Sequence, residues 1–442
     1  MVQQPEPDRR QVRLAVFSSV IGTSIEWYDF FLYGTAAALV FPEVFFPKSS
    51  AYSGTLESFA TYAVGFAARP VGAAIFGHFG DRLGRKATLI TTLLLMGLGS
   101  ALVGVLPGAS AIGIGAPILL VILRIAQGLS VGGEWSGSVL LSMEWGQQKR
   151  RGLYASFPQI GVPIGLLLGT GMMTGIALSA EGAFKAWAWR IPFLASLVLV
   201  GIGLWVRLKV METPMFSRVV ETKQVAKVPV ADAVRRHPLQ IILSAFIRMS
   251  EQAPFYIYTV FCLSYIKEHL GKGEGLALGA VTVGGAIELF LIPAAGHWSD
   301  TLGRRRVYAT GAVLMGVIAF PAFLLLNTKG AALIIIGIVL FAVAHALQYG
   351  PQAAYITENF PTGLAYGGSG IGYQSASLIA GGPAPLLATW MLPNFGWQAI
   401  SVYVIACAVI TLVAVAFLQE RRNVTDLIAA PATIPAEGSI AG

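Results

Sequence analysis

Charged residues are scarce in this 442-residue chain: Asp, Glu, Lys and Arg together make up 12% of it, about half the share of a soluble globular chain. Hydrophobic residues reach 55% and mean hydropathy is +0.69, more apolar surface than a soluble core can hide, so lipid must be the solvent for much of it. Cysteine is almost absent. Cys262 and Cys407 stand alone within apolar segments, which argues against a disulfide framework or a thiolate metal site and leaves them as core thiols. The opening MVQQPEPDRRQVR has neither the apolar run nor the small-residue cleavage site of a signal peptide and is expected to be a cytoplasmic tail. No nucleotide loop, metal-ligand cluster or nucleophile-base motif stands in the sequence, so neither enzymatic activity nor a cofactor is expected. The formal charge of +8 could point to nucleic acid. The basic residues nevertheless fall in short loops at regular intervals and form no stripe or tail, so no nucleic-acid partner is expected.

What is abundant is uninterrupted apolar sequence. Ala87 to Leu123, Gly152 to Ala180, Val307 to Thr328 and Asn359 to Gln419 contain no Asp, Glu, Lys or Arg, and a spanning helix needs about 20 residues. With Gly, Pro and charged turns as punctuation, twelve helices are predicted near 14–40, 56–79, 87–107, 116–142, 152–176, 188–208, 238–267, 276–298, 306–326, 331–356, 364–390 and 396–418. Of the 30 Lys and Arg residues, 21 fall on the side of both termini and 6 on the other, which places both termini in the cytoplasm. The expected fold is an all-α membrane protein of twelve transmembrane helices in two six-helix bundles. Its parts are a cytoplasmic tail (1–13), an N-terminal bundle (14–208), a cytoplasmic linker (209–237), a C-terminal bundle (238–418) and a second tail (419–442), short, rich in Ala and Pro and expected to be disordered.

The division into halves rests on a repeat. GHFGDRLGRK at Gly77 to Lys86 returns as GHWSDTLGRR at Gly296 to Arg305, 219 residues on, with Gly77/Gly296, His78/His297, Asp81/Asp300, Leu83/Leu302, Gly84/Gly303 and Arg85/Arg304 identical. Two copies of one charged turn at half-chain spacing point to two homologous membrane halves; an ordinary basic loop is the plainer alternative.

Three arginines belong to neither side: Arg69, Arg124 and Arg248. A charge at the bilayer centre costs at least about 2.5–3.5 kcal/mol, so such a residue faces a partner or a water-filled cavity. Glu26 and Asp29 in the first helix, Glu251 in the seventh and Glu288 in the eighth share that depth, with Glu134 nearer the cytoplasm. IEWYDFFLY sets Glu26, Asp29 and Tyr33 on one helical face, Arg248, Glu251 and Gln252 repeat the arrangement, and His345 and Gln348 add polar groups to the tenth helix. Two readings stay open. Either these residues pair only to tie helices together, or they line a midplane cavity whose excess of cations suits an anionic substrate and whose carboxylates suit a proton carrier. On the second reading Arg69, Arg124 and Arg248 are candidate clamps, Tyr33, Gln127, Gln252 and Tyr256 candidate neutral hydrogen-bond partners, and Glu288 a further lining residue.

GTSIEWYDFFLYG (Gly22 to Gly34), FAARPVGAAIFGHFGDRLGRK (Phe66 to Lys86), RIAQGLSVGGEW (Arg124 to Trp135) and METPMF (Met211 to Phe216) together resemble the metabolite:proton symporter family of the major facilitator superfamily. Its members include transporters of α-ketoglutarate, citrate, shikimate and proline/betaine, and the resemblance covers essentially the whole chain. It implies two bundles rocking about a central site, a monomer in the inner (plasma) membrane, and import of a small organic acid with protons. Residue by residue, it implies cytoplasmic latch contacts from Asp81 and Arg85 and from Asp300 and Arg304. It also implies close-approach glycines at Gly77, Gly84, Gly296 and Gly303, and an inner-gate pair of Glu144 and Arg151. Asp29, with Glu26 beside it, is implied as a proton carrier that pairs with Arg124 and releases it on protonation. In ENFPTGLAYGGSG (Glu358 to Gly370), Ala365 stands where an arginine is usual, so the gate partner of Glu358 is left to Arg306 or a backbone contact; Thr301 replaces the basic residue matched by Arg82. The alternatives are a zwitterionic osmolyte or a polyol or sugar as substrate, with the arginines in internal ion pairs, and a non-transporting membrane sensor.

Overall fold

The chain is described by a computed structural model at residues 9–180, 183–221 and 229–421. Parts of the expected tails and linker (1–8, 222–228 and 422–442) lie outside the described residues.

The described residues form twelve long helical stretches: α1 (Arg9–Leu39), α2 (Ala51–Leu83), α3 (Arg85–Val105), α4 (Gly115–Trp145), α5 (151–179), α6 (Arg190–Lys209), α7 (238–269), α8 (Glu274–Leu302), α9 (Arg304–Asn327), α10 (Ala331–Thr357), α11 (365–395) and α12 (397–417). Each overlaps a helix read from the sequence. By length and composition, eight stretches could cross a membrane; the last, Ala365–Phe417, is 53 residues long and is broken at Gly396, where φ is 73°. Two short helices, Pro214–Glu221 and Pro229–Arg236, lie between α6 and α7.

Breaks within helices have local causes. In α5, a tight turn at Pro158–Ile160 separates Arg151–Ser156 from Gly161–Ser179. In α7, Met249–Tyr256 opens beside Arg248 and runs through Pro254 into wide π turns at Ile257–Phe261 and Tyr265–His269, since proline removes a backbone donor from the ladder. The two repeated turns end α2 and α8 in the same way. Gly84 and Gly303 have φ of 111° and 112°, backbone that a side chain would strain.

Polarity is inside out relative to a soluble protein. Leu98, Leu102, Ile122, Val198, Val317 and Val413 point outward, while Glu26, Asp29, Arg69, Arg124, Glu251 and Glu288 are buried. Small residues let the helices come close enough to enclose those charges: α1 packs on α5 so tightly that a Cβ on Gly165 would sit 2.5 Å from the Cβ of Trp27. Halves of the chain meet where α2 packs on α11 and where α5 packs on α8 and α10. One apolar cluster runs across the junction, joining Trp27, Phe30 and Phe66 to Phe255, Tyr256 and Phe341.

Candidate functional site

Two guanidinium groups sit at that junction inside a cage of rings. Arg69 on α2 is 4% exposed and lies 4.5 Å from the ring centre of Phe66 and 4.8 Å from that of Phe30. Arg124 on α4 is 2% exposed, 4.3 Å from Tyr33 and 4.9 Å from Tyr62. Its Nη1 donates to Gln127 Oε1 at 3.3 Å, and Gln127 is itself oriented by donating to Ser100 Oγ at 2.7 Å. Tyr33 is fixed by a 2.7 Å hydrogen bond with Thr61. Among the described residues neither guanidinium forms an ion pair with a carboxylate, and Arg124 Nε has no hydrogen-bond partner. Facing them from α7, Gln252 Oε1 and the Tyr256 hydroxyl are buried and also without partners, the Tyr256 ring lying 5.6 Å from Phe66 and 6.0 Å from Phe30. A buried charge costs several kcal/mol unless something compensates it, and ring faces and the Gln127 amide are what these two guanidiniums have against them here.

The expected pairing of Asp29 with Arg124 is not formed. Asp29 Oδ1 instead accepts from Ser196 Oγ of α6 at 2.6 Å, while Arg124 is held away by its rings and Gln127; Asp29 Oδ2 remains unpartnered. Glu26 makes no ion pair with the cage arginines among the described residues: it lines a small cavity with Gly22, Thr92, Met96, Ser130 and Glu134, and its Oε2 has no hydrogen-bond partner. Glu134 is satisfied by Arg207 and by Thr92 and Ser138 hydroxyls at 2.9 and 2.8 Å. Arg207 is therefore a buried structural cation within α6.

Arg248 and Glu288, expected as substrate contacts, are both paired with other residues of the second half. Arg248 is spent on Glu251, 3.0 Å away, on the Tyr373 carbonyl and on the Tyr373 ring at 3.3 Å. Glu288 accepts from the Tyr258 hydroxyl at 2.6 Å and meets His345 Nδ1 at 2.6 Å. Both belong to a self-contained charge cluster in the second half.

At the end carrying the repeated turns the halves are locked together. Asp81 Oδ1 and Oδ2 accept from the backbone N–H groups of Tyr366 and Gly367 at 3.2 and 2.9 Å, the first turn of α11. Asp300 does the same to Gly152 and Leu153 at 2.8 and 3.0 Å, the first turn of α5. Each aspartate thus satisfies otherwise unpaired amide donors and the positive end of a helix dipole in the opposite half, while Arg85 and Arg304 hold it at 3.2 and 2.6 Å.

The gate carboxylates pair differently from expectation. Glu144 does not bind Arg151; it receives Arg85 at 3.5 Å and the Thr213 hydroxyl, because the arginine of each turn reaches the carboxylate at the end of α4 or α10 in its own half. Arg151 crosses the seam to Glu358 at 3.1 Å, where Arg304 joins it at 3.3 Å. Arg306 is exposed and does not replace the arginine missing at Ala365. The corresponding position on Glu144 is taken by Thr213, from the METP segment, and Arg85 donates to the Thr362 carbonyl at 2.9 Å. Phe30, Tyr62, Phe66, Thr213 and Arg207 were not singled out by sequence; Phe30, Phe66 and Thr213 stand inside the motifs quoted above, which was the available signal.

An apolar exterior, a charged interior and reciprocal latches between two halves define a membrane transporter. Residues 20–381 and 255–434 match the model of the Major Facilitator Superfamily, and the chain belongs to that family. It is 40% identical over 419 residues to the Shikimate transporter of Escherichia coli (strain K12), covering 93% of this chain and 96% of the relative. It is 39% identical over 428 residues to the Inner membrane metabolite transport protein YhjE of the same organism, covering 95% and 96%. The Proline/betaine transporter of that strain is 31% identical over 430 residues, covering 94% and 85%. Among solved structures, the proton:xylose symporter XylE bound to 6-bromo-6-deoxy-D-glucose superimposes with a TM-score of 0.76 over 93% of this chain and 96% of that one; at 17% identity this likeness speaks for the fold alone.

Proposed function

We propose that the protein is a proton-coupled symporter importing a small organic acid across the inner membrane by alternating access, as a monomer. In this reading its twelve helices all cross the bilayer, in halves 14–208 and 238–418 joined by the linker 209–237, with both termini and the repeated turns on the cytoplasmic side. The excess of Lys and Arg on that side supports the orientation. The observation that carries the substrate class is the pair of buried guanidiniums, Arg69 and Arg124, caged by rings with no carboxylate ion-pair partner among the described residues. A carboxylate entering the cage would supply the missing counter-charge, and Gln252 and Tyr256 from the opposite half would hydrogen-bond it. An aromatic cage can also hold a quaternary ammonium, but here the ring faces already carry two fixed cations, which repel such a ligand and favour the acid over betaine.

An inward proton contributes about 2.3 kcal/mol per 100 mV of membrane potential, enough to drive accumulation. Asp29 and Glu26, buried carboxylates each with one free oxygen, are the proposed carriers in the first half. The deciding experiment is uptake into proteoliposomes of labelled α-ketoglutarate, citrate, shikimate, simple monocarboxylates, proline, betaine and a sugar, with and without an inward proton gradient. Gradient-dependent uptake of an acid is expected; uptake of betaine or sugar alone would return Arg69 and Arg124 to a structural role. In the same assay Asp29→Asn is expected to abolish gradient-driven accumulation while some exchange persists, and full accumulation by that variant would remove Asp29 from proton coupling.

A further inference from the structure

The second half contains a buried cluster that the substrate cage does not use, and its hydrogen-bond inventory does not close without an extra proton. His345 on α10 has a carboxylate against each ring nitrogen: Glu288 Oε1 of α8 lies 2.6 Å from Nδ1, and Glu251 Oε1 of α7 lies 3.4 Å from Nε2. An ionised carboxylate only accepts, and a neutral imidazole has one N–H to give. With both carboxylates ionised and the ring neutral, one nitrogen lone pair would face an anionic oxygen. Charge counting leads to the same place. Arg248, fixed to Glu251 Oε2 at 3.0 Å, balances one carboxylate, and the other is left without a counter-charge in a site where His345, Glu251 and Glu288 are at most 2% exposed. One added proton on the ring, giving an imidazolium that donates to both carboxylates, satisfies both contacts and makes the buried group neutral.

The remaining neighbours do not supply it. Tyr258 already donates to Glu288 Oε1 at 2.6 Å, and Gln352 donates to Glu251 Oε2 at 3.0 Å beside the Tyr308 hydroxyl of α9. The Tyr349 hydroxyl of α10 is engaged with that of Tyr373 on α11 at 3.2 Å.

We propose that Glu251, His345 and Glu288 form a proton-binding site in the second half, loaded and emptied during the transport cycle. This rests on the reading of the protein as a proton-coupled transporter. The location fits the role on two sides. The imidazole is stacked between Phe255 at 4.8 Å and Tyr349 at 4.9 Å, and Phe255 is also 6.0 Å from Trp27 and 5.2 Å from Tyr256, so a single ring separates the proton from the substrate cage. On the other side, Arg248 rests on Tyr373, Tyr373 stacks at 3.6 Å on Trp135 of α4, and Gln159 of α5 joins Trp135 to the Tyr349 carbonyl at 2.8 and 3.3 Å. These contacts cross the seam that rocking must open. Removing the proton leaves a net negative charge one residue from it, so the charge state and the seam bias each other.

The test begins with the full-length protein in detergent, its five histidines labelled with nitrogen-15. At neutral pH one imidazole is expected to carry two N–H protons; its signal disappears in His345→Gln and reverts to a singly protonated ring in Glu288→Gln. A His345 ring that is singly protonated in the wild type from about pH 5 to pH 8 overturns the proposal. The second measurement is shikimate flux in proteoliposomes. The ratio of gradient-driven accumulation to exchange is expected to fall at least tenfold in Glu288→Gln and in His345→Gln, and an unchanged ratio in both folded variants overturns the coupling role. If the wild type moves neither shikimate nor any other acid, the transport reading fails, and the nitrogen-15 result still decides whether the proton is there.

Discussion

Arg124→Gln is expected to reduce uptake of the transported acid at subsaturating concentration by about 10- to 150-fold, the range corresponding to one lost charged hydrogen bond of about 1.5–3 kcal/mol, while leaving the folded protein at least as stable as the wild type. The second half of that statement is the sharper one. Arg124 is buried against Gln127 and ring faces, with no carboxylate in ion-pair contact among the described residues, so its charge opposes folding and its removal relieves that cost. Arg248→Gln should do the reverse. It strands Glu251 beside His345 and Gln352 without its cation, and breaking a buried pair on one side costs about 3–5 kcal/mol. Initial uptake rates and thermal unfolding of the two purified variants make the comparison. Arg124→Lys is not expected to rescue, because a compact ammonium cannot lie flat over Tyr33 and Tyr62 while reaching Gln127. If Arg124→Gln proves as unstable as Arg248→Gln, and uptake per folded molecule is retained, then Arg124 is a structural cation and the substrate site lies elsewhere.

The difference between these two arginines marks the limit of what the sequence reveals. Both were recognisable as charges in apolar helices, since depth along a helix can be counted from the nearest turn. Their partners were not, because a partner is chosen by which faces of remote helices meet. Ser196 and Asp29 are 167 residues apart, as are many pairs that do not touch, and nothing local says that the hydroxyl reaches the carboxylate before Arg124 does. The same holds for Arg151, which was matched to the nearby Glu144 and pairs instead with Glu358, 207 residues on. Arg207 falls within the helix predicted at 188–208, yet nothing in its neighbourhood says that it turns inward from the last turn of α6 to Glu134. What local sequence did carry was the repeated turn, because its demands are local. A positive φ requires glycine at 84 and 303, and an aspartate three residues earlier is placed to reach a neighbouring helix end.

That turn also gives the second large effect. Gly77→Leu is expected to stop accumulation by preventing closure at the end where Asp81 is found, with protein abundance and folding retained. A Cβ at residue 77 would stand 2.5 Å from Gly367 Cα and 3.2 Å from Gly367 N, and those are backbone atoms of α11 that cannot rotate away. The helices must separate, and the separation removes the two hydrogen bonds by which Asp81 holds the Tyr366 and Gly367 amides. Loss of those bonds, each about 1.5–3 kcal/mol because the acceptor is charged, would shift a two-state equilibrium by well over tenfold toward the state open at that end. Ser369 reports the change: its hydroxyl faces Ser136 across the seam at 3.3 Å, and the native Cys262 and Cys407 are buried, so a cysteine at 369 can be alkylated against a low background. At least tenfold faster labelling is expected in Gly77→Leu than in Gly171→Leu, where the added Cβ meets nothing within 4 Å. Equal labelling with transport intact would mean that the seam closes without the glycine contact. It would then be the ion pair of Glu358 with Arg151, and not helix approach, that holds the two halves together.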